Sequence, residues 1–223
     1  IFNRLDAQGT TATRETVIFN DNTSAVFEIT NFEGFSITGT DGNDVINATG
    51  GSAGNNLNGG AGNDTLTGAT NAIDVIDGGA DNDTINNVGY GDTVAGGEGL
   101  DTVNLNLGDA TEGVIIDAGV GEDVGVSLIG VEFVNGSLSA FDDILITGMQ
   151  IGNIGGDGGI DRITLDYSSG ALADGRTVQQ IIFNRLDAQG TTATRETVIF
   201  NDNTSAVFEI TNFEGFSITG TDG

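Results

Sequence analysis

Aspartates set at regular spacing inside glycine-rich turns are the residues of this chain best suited to chemistry, and that chemistry is the capture of a hard cation by oxygen. Gly59-Gly60-Ala61-Gly62-Asn63-Asp64-Thr65-Leu66-Thr67 follows the pattern G-G-x-G-x-D-x-U-x with an aliphatic U, and so does Gly96 to Asn104 (GGEGLDTVN). Gly39 to Asn47 (GTDGNDVIN) and Gly78 to Asn86 (GGADNDTIN) each lack one glycine, and Gly156 to Thr164 (GDGGIDRIT) is a looser copy. Glycine lets the backbone take the left-handed and strained turns that aim carbonyls at one centre. The aspartate adds charge and side-chain oxygen. Because every donor is oxygen and the turns are flexible, calcium fits better than magnesium, which demands a tighter octahedron, or a transition metal, which favours nitrogen or sulfur.

The composition narrows what else the chain can do. Its 223 residues carry 33 Asp plus Glu against six Arg and no Lys, with 37 Gly and no Pro, Cys, His or Trp. Without Cys or His there is no disulfide framework, thiolate nucleophile, catalytic imidazole or ordinary zinc site. A formal charge of −27 opposes nucleic acid and anionic membranes alike. No apolar run approaches the roughly 18 residues of a membrane span. From Glu15 to Asp161 there are 24 acidic residues and no basic one, and acidic turns stacked closely repel unless cations sit between them. The acidic pairs Asp142-Asp143 and Glu122-Asp123 are chain neighbours, which on a strand point to opposite faces, so they suit calcium or solvated turns rather than glycoside hydrolysis. No enzyme is expected. Arg4, Arg14, Arg162 and Arg176 are read as partners of nearby acids, and the glycine-rich turns carry Asp where a phosphate loop needs Lys.

These turns must be positioned by short strands. Ile46, Leu66, Ile76, Ile85, Val94, Val103 and Ile163 fall where a three-residue strand points one side chain inward. Turn, strand, turn, strand gives a coil of about 18 residues, and coils stack as parallel strands about 4.8 Å apart. Every second nonapeptide then lies on one edge, with Gly39, Gly59, Gly78 and Gly96 starting turns that hold Asp44, Asp64, Asp83 and Asp101 in register. The intervening turns are degenerate: Ser52 to Asn56 has Asn in place of Asp, Thr70 to Asp74 lacks glycine, and Asn87 to Asp92 keeps its Asp. The pattern predicts well-ordered ions between the four good turns, and weaker sites or an Asn hydrogen-bond ladder on the other edge. Candidate ligands are therefore Asp44, Asp64, Asp83 and Asp101, with Asp74, Asp92, Asp143, Asp161 and Asp41 as further acids and Gly39, Gly42, Gly59, Gly62, Gly78, Gly96 and Gly99 as backbone donors.

Several such nonapeptides in series resemble the RTX, or haemolysin-type calcium-binding repeat, family. The resemblance implies an all-β fold, a right-handed parallel β-roll or β-solenoid, with Ca2+ held between turns of successive coils. Extracellular sites of this kind bind calcium at about 0.1 to 1 mM, so the roll is expected to fold outside the cell, and metal affinity becomes folding free energy.

A larger repeat overlies the small one. Ile1 to Gly42 recurs unchanged from Ile182 to Gly223, a period of 181 residues, and the second copy stops in the middle of a motif. This suggests one unit plus part of the next from a longer tandem array. The chain divides into a β segment without nonapeptides (1–38), the nonapeptide roll (39–104), degenerate solenoid coils (105–155), a loose copy with a connector (156–181) and the start of the next unit (182–223). The first segment is expected to form wider coils or a small β insertion, with Phe32, Phe35, Phe133 and Phe141 in the core. At about 18 residues per coil, a unit would hold about ten coils and span roughly 50 Å.

The function this supports is structural: a tandem unit of an extracellular filament, adhesin stalk or surface-layer protein at a bacterial cell surface, whose partners are identical neighbouring units, in tandem or by lateral and end-to-end self-association, and not nucleic acid or a membrane interior. The alternatives are the calcium-dependent secretion and folding region of a type I-secreted enzyme or toxin, or a module that binds ice or glycan. An ice-binding face would need a regular Thr or Asn ladder, and from sequence the threonines do not hold one register.

Overall fold

The computed structural model describes residues 2–4, 12–18, 24–30, 34–49, 53–70, 72–108, 110, 114–118, 126–129, 131, 133–137, 144–147, 153–155, 161–166, 176–185, 193–211, 213 and 215–219. The described residues are all-β. In chain order the strands are β1 (Phe2–Arg4), β2 (Ala12–Ile18), β3 (Ser24–Thr30), β4 (Ser36–Thr38), β5 (Val45–Asn47), β6 (Asn56–Ala61) and β7 (Thr65–Thr67). There follow β8 (Val75–Ala80), β9 (Thr84–Val88), β10 (Thr93–Glu98), β11 (Thr102–Asn106), β12 (Ile115–Ala118), β13 (Val126–Ile129) and β14 (Phe133–Ser137). The last are β15 (Ile144–Thr147), β16 (Ile154–Gly155), β17 (Arg162–Asp166), β18 (Val178–Arg185), β19 (Ala193–Phe200), β20 (Ser205–Thr211) and β21 (Gly215–Thr219).

From β4 to β11 the chain alternates between two sheets and pairs in parallel with itself one coil later, which makes a solenoid. One sheet runs β5, β7, β9, β11, β14, β16; the other runs β4, β6, β8, β10 and onward. The strands of the roll point alternate side chains inward, as a period of two requires, and β9 and β11 bury a second aliphatic residue each, Val88 and Leu105. Ile46, Leu66, Ile85, Val103 and Val134 stack in register on one side, and Leu57, Ile76, Val94 and Leu128 on the other, all buried. Each such burial stabilises by about 1.5–3 kcal/mol, and no helix is needed to cover the sheets because they cover each other.

Regular alternation ends after β11. In the second sheet β10 pairs with β13, and β12 is displaced one level further to lie between β13 and β15. A nonapeptide period cannot announce this exchange, since both strands read simply as short apolar runs.

Of the described residues in 1–38, β4 pairs in parallel with β6 as a strand of the roll, and the rest form a small insertion in the first sheet. Its strands β1, β2 and β3 form an antiparallel meander that extends the first sheet, with Phe2 opposite Glu15 and Arg14 opposite Glu28. The identical second copy makes the same meander from β18, β19 and β20, with Phe183 opposite Glu196. The two copies attach by opposite edges: β1 pairs in parallel with β5, whereas β20 pairs in parallel with β16. Because the meander lies within the sheet instead of winding coils, a unit is shorter than the coil count suggests. From β4 to its repeat β21 the second sheet takes eight steps, about 38 Å at roughly 4.8 Å per step.

Threonine register also differs from expectation. On the outward face of the first sheet Thr65, Thr84 and Thr102 stand in one column, with Thr67, Asn86, Asn104 and Asn135 in the next. The coils are 18 to 20 residues long, and that variation hides the register in the sequence. Phe35 packs against the core, while Phe32 and Phe141 lie outside the described residues.

Candidate metal centre

The strands of each coil are joined by turns that stack into two edges. The first edge contains the turns entering β5, β7, β9 and β11, and it brings Asp44, Asp64, Asp83 and Asp101 into one column. The backbone N–H of Asp44 donates to Asp64 Oδ1 (2.7 Å), that of Asp64 to Asp83 Oδ1 (2.8 Å) and that of Asp83 to Asp101 Oδ1 (2.8 Å). Each carboxylate therefore reaches back to the previous coil. Asp64, Asp83 and Asp101 are buried, at 2%, 1% and 0% exposure, deep enough that an unsatisfied oxygen carries a desolvation cost. Asp64 Oδ2 and Asp83 Oδ2 are buried and accept no hydrogen bond.

The glycines around these oxygens are required by crowding. A β-carbon on Gly59 would run into the Asp64 carboxylate and the Gly78 carbonyl; one on Gly78 would meet the Gly96 carbonyl and the Asp83 carboxylate. Gly39 stands in the same relation to the Gly59 carbonyl and to Asp44. A carboxylate oxygen of one coil and a carbonyl oxygen of the next thus crowd one space in front of each glycine. Among the described residues no three acidic side chains converge at a point, so a cation here would draw the rest of its shell from carbonyls. Buried oxygen-only donors with two unpaired carboxylate oxygens fit a calcium ion; they offer nothing to a metal that needs nitrogen or sulfur.

Electrostatics agrees with a demand for positive charge. Burial pushes Asp83 up to about 6 against the N–H it accepts from Asp64, and the carboxylates of Asp101, Asp64 and Asp81 push further in that direction. Burial likewise raises Asp64 and Asp101. Bound calcium would supply the missing neutralisation at Asp64, Asp83 and Asp101.

The second edge enters β6, β8 and β10 and is built differently. Asn55 Oδ1 accepts from Phe35 N–H (3.1 Å), and Asn55 donates to Asp74 Oδ1 from both its backbone N–H (2.7 Å) and its Nδ2 (2.8 Å). Asp74 N–H in turn donates to Asp92 Oδ1 (2.7 Å). Here the second oxygens are taken as well: Asp74 Oδ2 accepts from Ala69 N–H (2.6 Å) and Asp92 Oδ2 from Gly89 N–H (2.7 Å). Burial still raises Asp92 to about 7, outweighing the two N–H groups it accepts.

Other candidates fall in less connected places. Asp161 is buried just before β17, so it stands on the side of the second edge, where strands of the second sheet begin. Asp143 lies outside the described residues. Asp41 and Gly42 are exposed in the first turn, Gly62 and Gly99 hold φ of 97° and 138°, and Asp81 takes the glycine place in the third turn at φ 73°. Asp81 Oδ2 accepts from Gly62 N–H (3.2 Å). Arg176 lies over the Phe200 ring at 4.4 Å and donates to Thr204 Oγ1 (3.2 Å).

A second column on the first edge was not singled out from sequence. Asn43 Oδ1 accepts from Asn63 N–H (2.9 Å), Asn63 Oδ1 from Asn82 N–H (3.0 Å) and Asn82 Oδ1 from Leu100 N–H (2.8 Å). These amides reach forward to the next coil while the aspartates reach back, so adjacent turns are fastened in both directions. The signal lies in the sequence, since Asn precedes Asp in three successive turns of this edge and is replaced by Leu100 in the fourth, where regular winding ends. Comparison of the chain with protein-family models, curated proteins and solved structures found no match.

Proposed function

We propose that the chain is a repeat unit of a long extracellular filament, adhesin stalk or surface-layer protein of the RTX type, stabilised by calcium on the first edge of its roll. The observation that carries this reading is the attachment of one sequence by two opposite edges. The meander pairs with a following roll through β1 and with a preceding roll through β20. Placed between two rolls it would splice their first sheets through β16, β20, β19, β18 and the next β5. A unit then advances nine strand steps in the first sheet and eight in the second, about 43 Å against about 38 Å at roughly 4.8 Å per step, so the two advances differ by one step per unit. A solenoid held by nearest-neighbour contacts can be extended in this way without limit.

Calcium's part is to neutralise buried carboxylates that otherwise repel along the edge. Electron microscopy of the native array, with and without calcium, tests the reading. It expects rods with an axial repeat of about 40 Å per unit, from roughly 4.8 Å per strand step, that lose stiffness in chelator. An axial repeat unrelated to the unit, or rods indifferent to chelator, would overturn it.

A second reading is favoured by one observation. The outward columns of Thr65, Thr84, Thr102 and of Asn86, Asn104 form an uncharged, in-register array on an otherwise acidic chain. Such a face suits the ice- or glycan-binding module, although Asn104 Nδ2 spends itself on Asn86 Oδ1 (2.8 Å) within the ladder. Loss of ice or glycan binding on replacing Thr84 by a charged residue, with the roll intact, would distinguish it.

A further inference from the structure

Each of the four turns of the first edge ends on an aspartate just before its strand, yet these four aspartates are not in the same state. Asp44 Oδ2 accepts from Thr40 N–H (2.6 Å) and Thr40 Oγ1 (2.9 Å). Asp64 Oδ2 and Asp83 Oδ2, at the same place in turns of the same length, accept nothing. The sequences GTDGND and GGAGND differ at the two residues after the first glycine, Thr40-Asp41 against Gly60-Ala61, and the residue whose N–H reaches the aspartate is the first of them. Where that residue is the second of a Gly-Gly pair it takes a positive φ: 106° at Gly60, 113° at Gly79 and 112° at Gly97. Thr40 is not among the described non-glycine residues with positive φ.

The physical link is the direction of one peptide group. At φ near +110° the N–H of the second residue turns away from the aspartate, leaving Oδ2 open. A residue with a β-carbon is barred from that conformation by its own sterics. It is also barred by its neighbour, because a β-carbon at Gly60 would collide with the Thr40 carbonyl and one at Gly79 with the Gly60 carbonyl. With φ negative, the N–H points at the carboxylate and closes it. The second edge repeats the closed form at Gly68-Ala69, where Ala69 N–H meets Asp74 Oδ2.

We infer that the residue after the first glycine is a switch: glycine there makes a turn whose aspartate takes a calcium ion, and a residue with a β-carbon makes a turn that satisfies its own aspartate and takes none. The number of ions is then set by the Gly-Gly pairs and not by the aspartates, and Asp44 is a clasp within its own turn. This rests on the calcium reading proposed above.

The test counts calcium ions bound per chain by equilibrium dialysis, using the full chain and two variants. Thr40→Gly removes bulk and a clasp together and should bind one ion more than the wild type. Gly79→Ala should bind one fewer. Should the second variant fail to fold, the first still decides, because it adds nothing that can clash. A wild type that binds calcium while Thr40→Gly binds the same number overturns the switch and leaves the calcium reading standing. A wild type that binds no calcium overturns both. Amide exchange in chelator gives an independent check: the N–H groups of residues 40 and 69 should be protected and those of residues 60 and 79 exchange faster, and equal rates would contradict the switch.

Discussion

The two edges of the roll solve the same problem with opposite means. Both must bury aspartates where coils stack, and both let each backbone N–H at the turn donate to a carboxylate or amide oxygen of the next coil. On the second edge the remaining oxygens are closed by N–H groups of Ala69 and Gly89, so the polar groups are satisfied from within the chain. On the first edge Asp64 and Asp83 keep a buried oxygen open. An edge that closes itself can hold the coils together in any medium; an open one makes stability depend on what the medium supplies. The looser match to a motif thus marks the self-sufficient edge, and the better match marks the dependent one.

The largest effect expected from breaking this comparison is on the closed edge. Asp74→Ala leaves the N–H and Nδ2 of Asn55 and the N–H of Ala69 without an acceptor in a buried place, which costs about 3 kcal/mol or more at about 1–3 kcal/mol per group. Denaturant unfolding should give the same loss with calcium and with chelator. A loss that appears in calcium alone would mean that Asp74 is a metal ligand.

Next comes the open edge, where the sign should depend on the medium. One site with a dissociation constant of about 0.1–1 mM adds about 1.4–2.7 kcal/mol at roughly 10 mM calcium. Asp83→Asn should remove an increment of that size in calcium. In chelator it should be neutral or stabilising, because it removes a charge repelled by Asp64, Asp81 and Asp101. Melting curves of the variant under both conditions check the reversal, and a loss of equal size in chelator would contradict it.

A smaller, graded effect is expected from pH in chelator. Asp92 is raised to about 7, so the folded state holds its proton more tightly than the unfolded state does. Its contribution is full below the ordinary carboxylate value near 3.8 and is lost as pH rises through about 7. The metal-free roll should therefore melt at a lower temperature at pH 8 than at pH 5, and the part of that slope due to Asp92 should persist in calcium, because both of its oxygens are already taken by N–H groups. A melting temperature that climbs with pH in chelator would exclude the assignment.

The smallest effect concerns the forward-reaching amides. Asn63→Ala removes the acceptor for Asn82 N–H on an exposed turn, where water replaces it, so about 0.5–1 kcal/mol is expected, equally with and without calcium.

Much of this was legible from residue types. The inward row of Ile46, Leu66, Ile76, Ile85, Val94, Val103 and Ile163 is buried as the nonapeptide period requires, because a strand's alternation is a local property. The column of Asp44, Asp64, Asp83 and Asp101 follows from the same counting. The displaced strand β12 did not, since its place depends on which coil it pairs with and not on its own residues. Nor did the meander, whose strands look like coil strands until their partners run antiparallel.

The sequence by itself determined that acids sit in stacked glycine turns between short apolar strands, because turn chemistry and side-chain alternation act within a few residues. Tertiary structure decided which of those acids are satisfied. An oxygen is open or closed according to the direction of one N–H and the approach of a carbonyl from a coil 18 to 20 residues away, and that approach exists only once the coils have stacked.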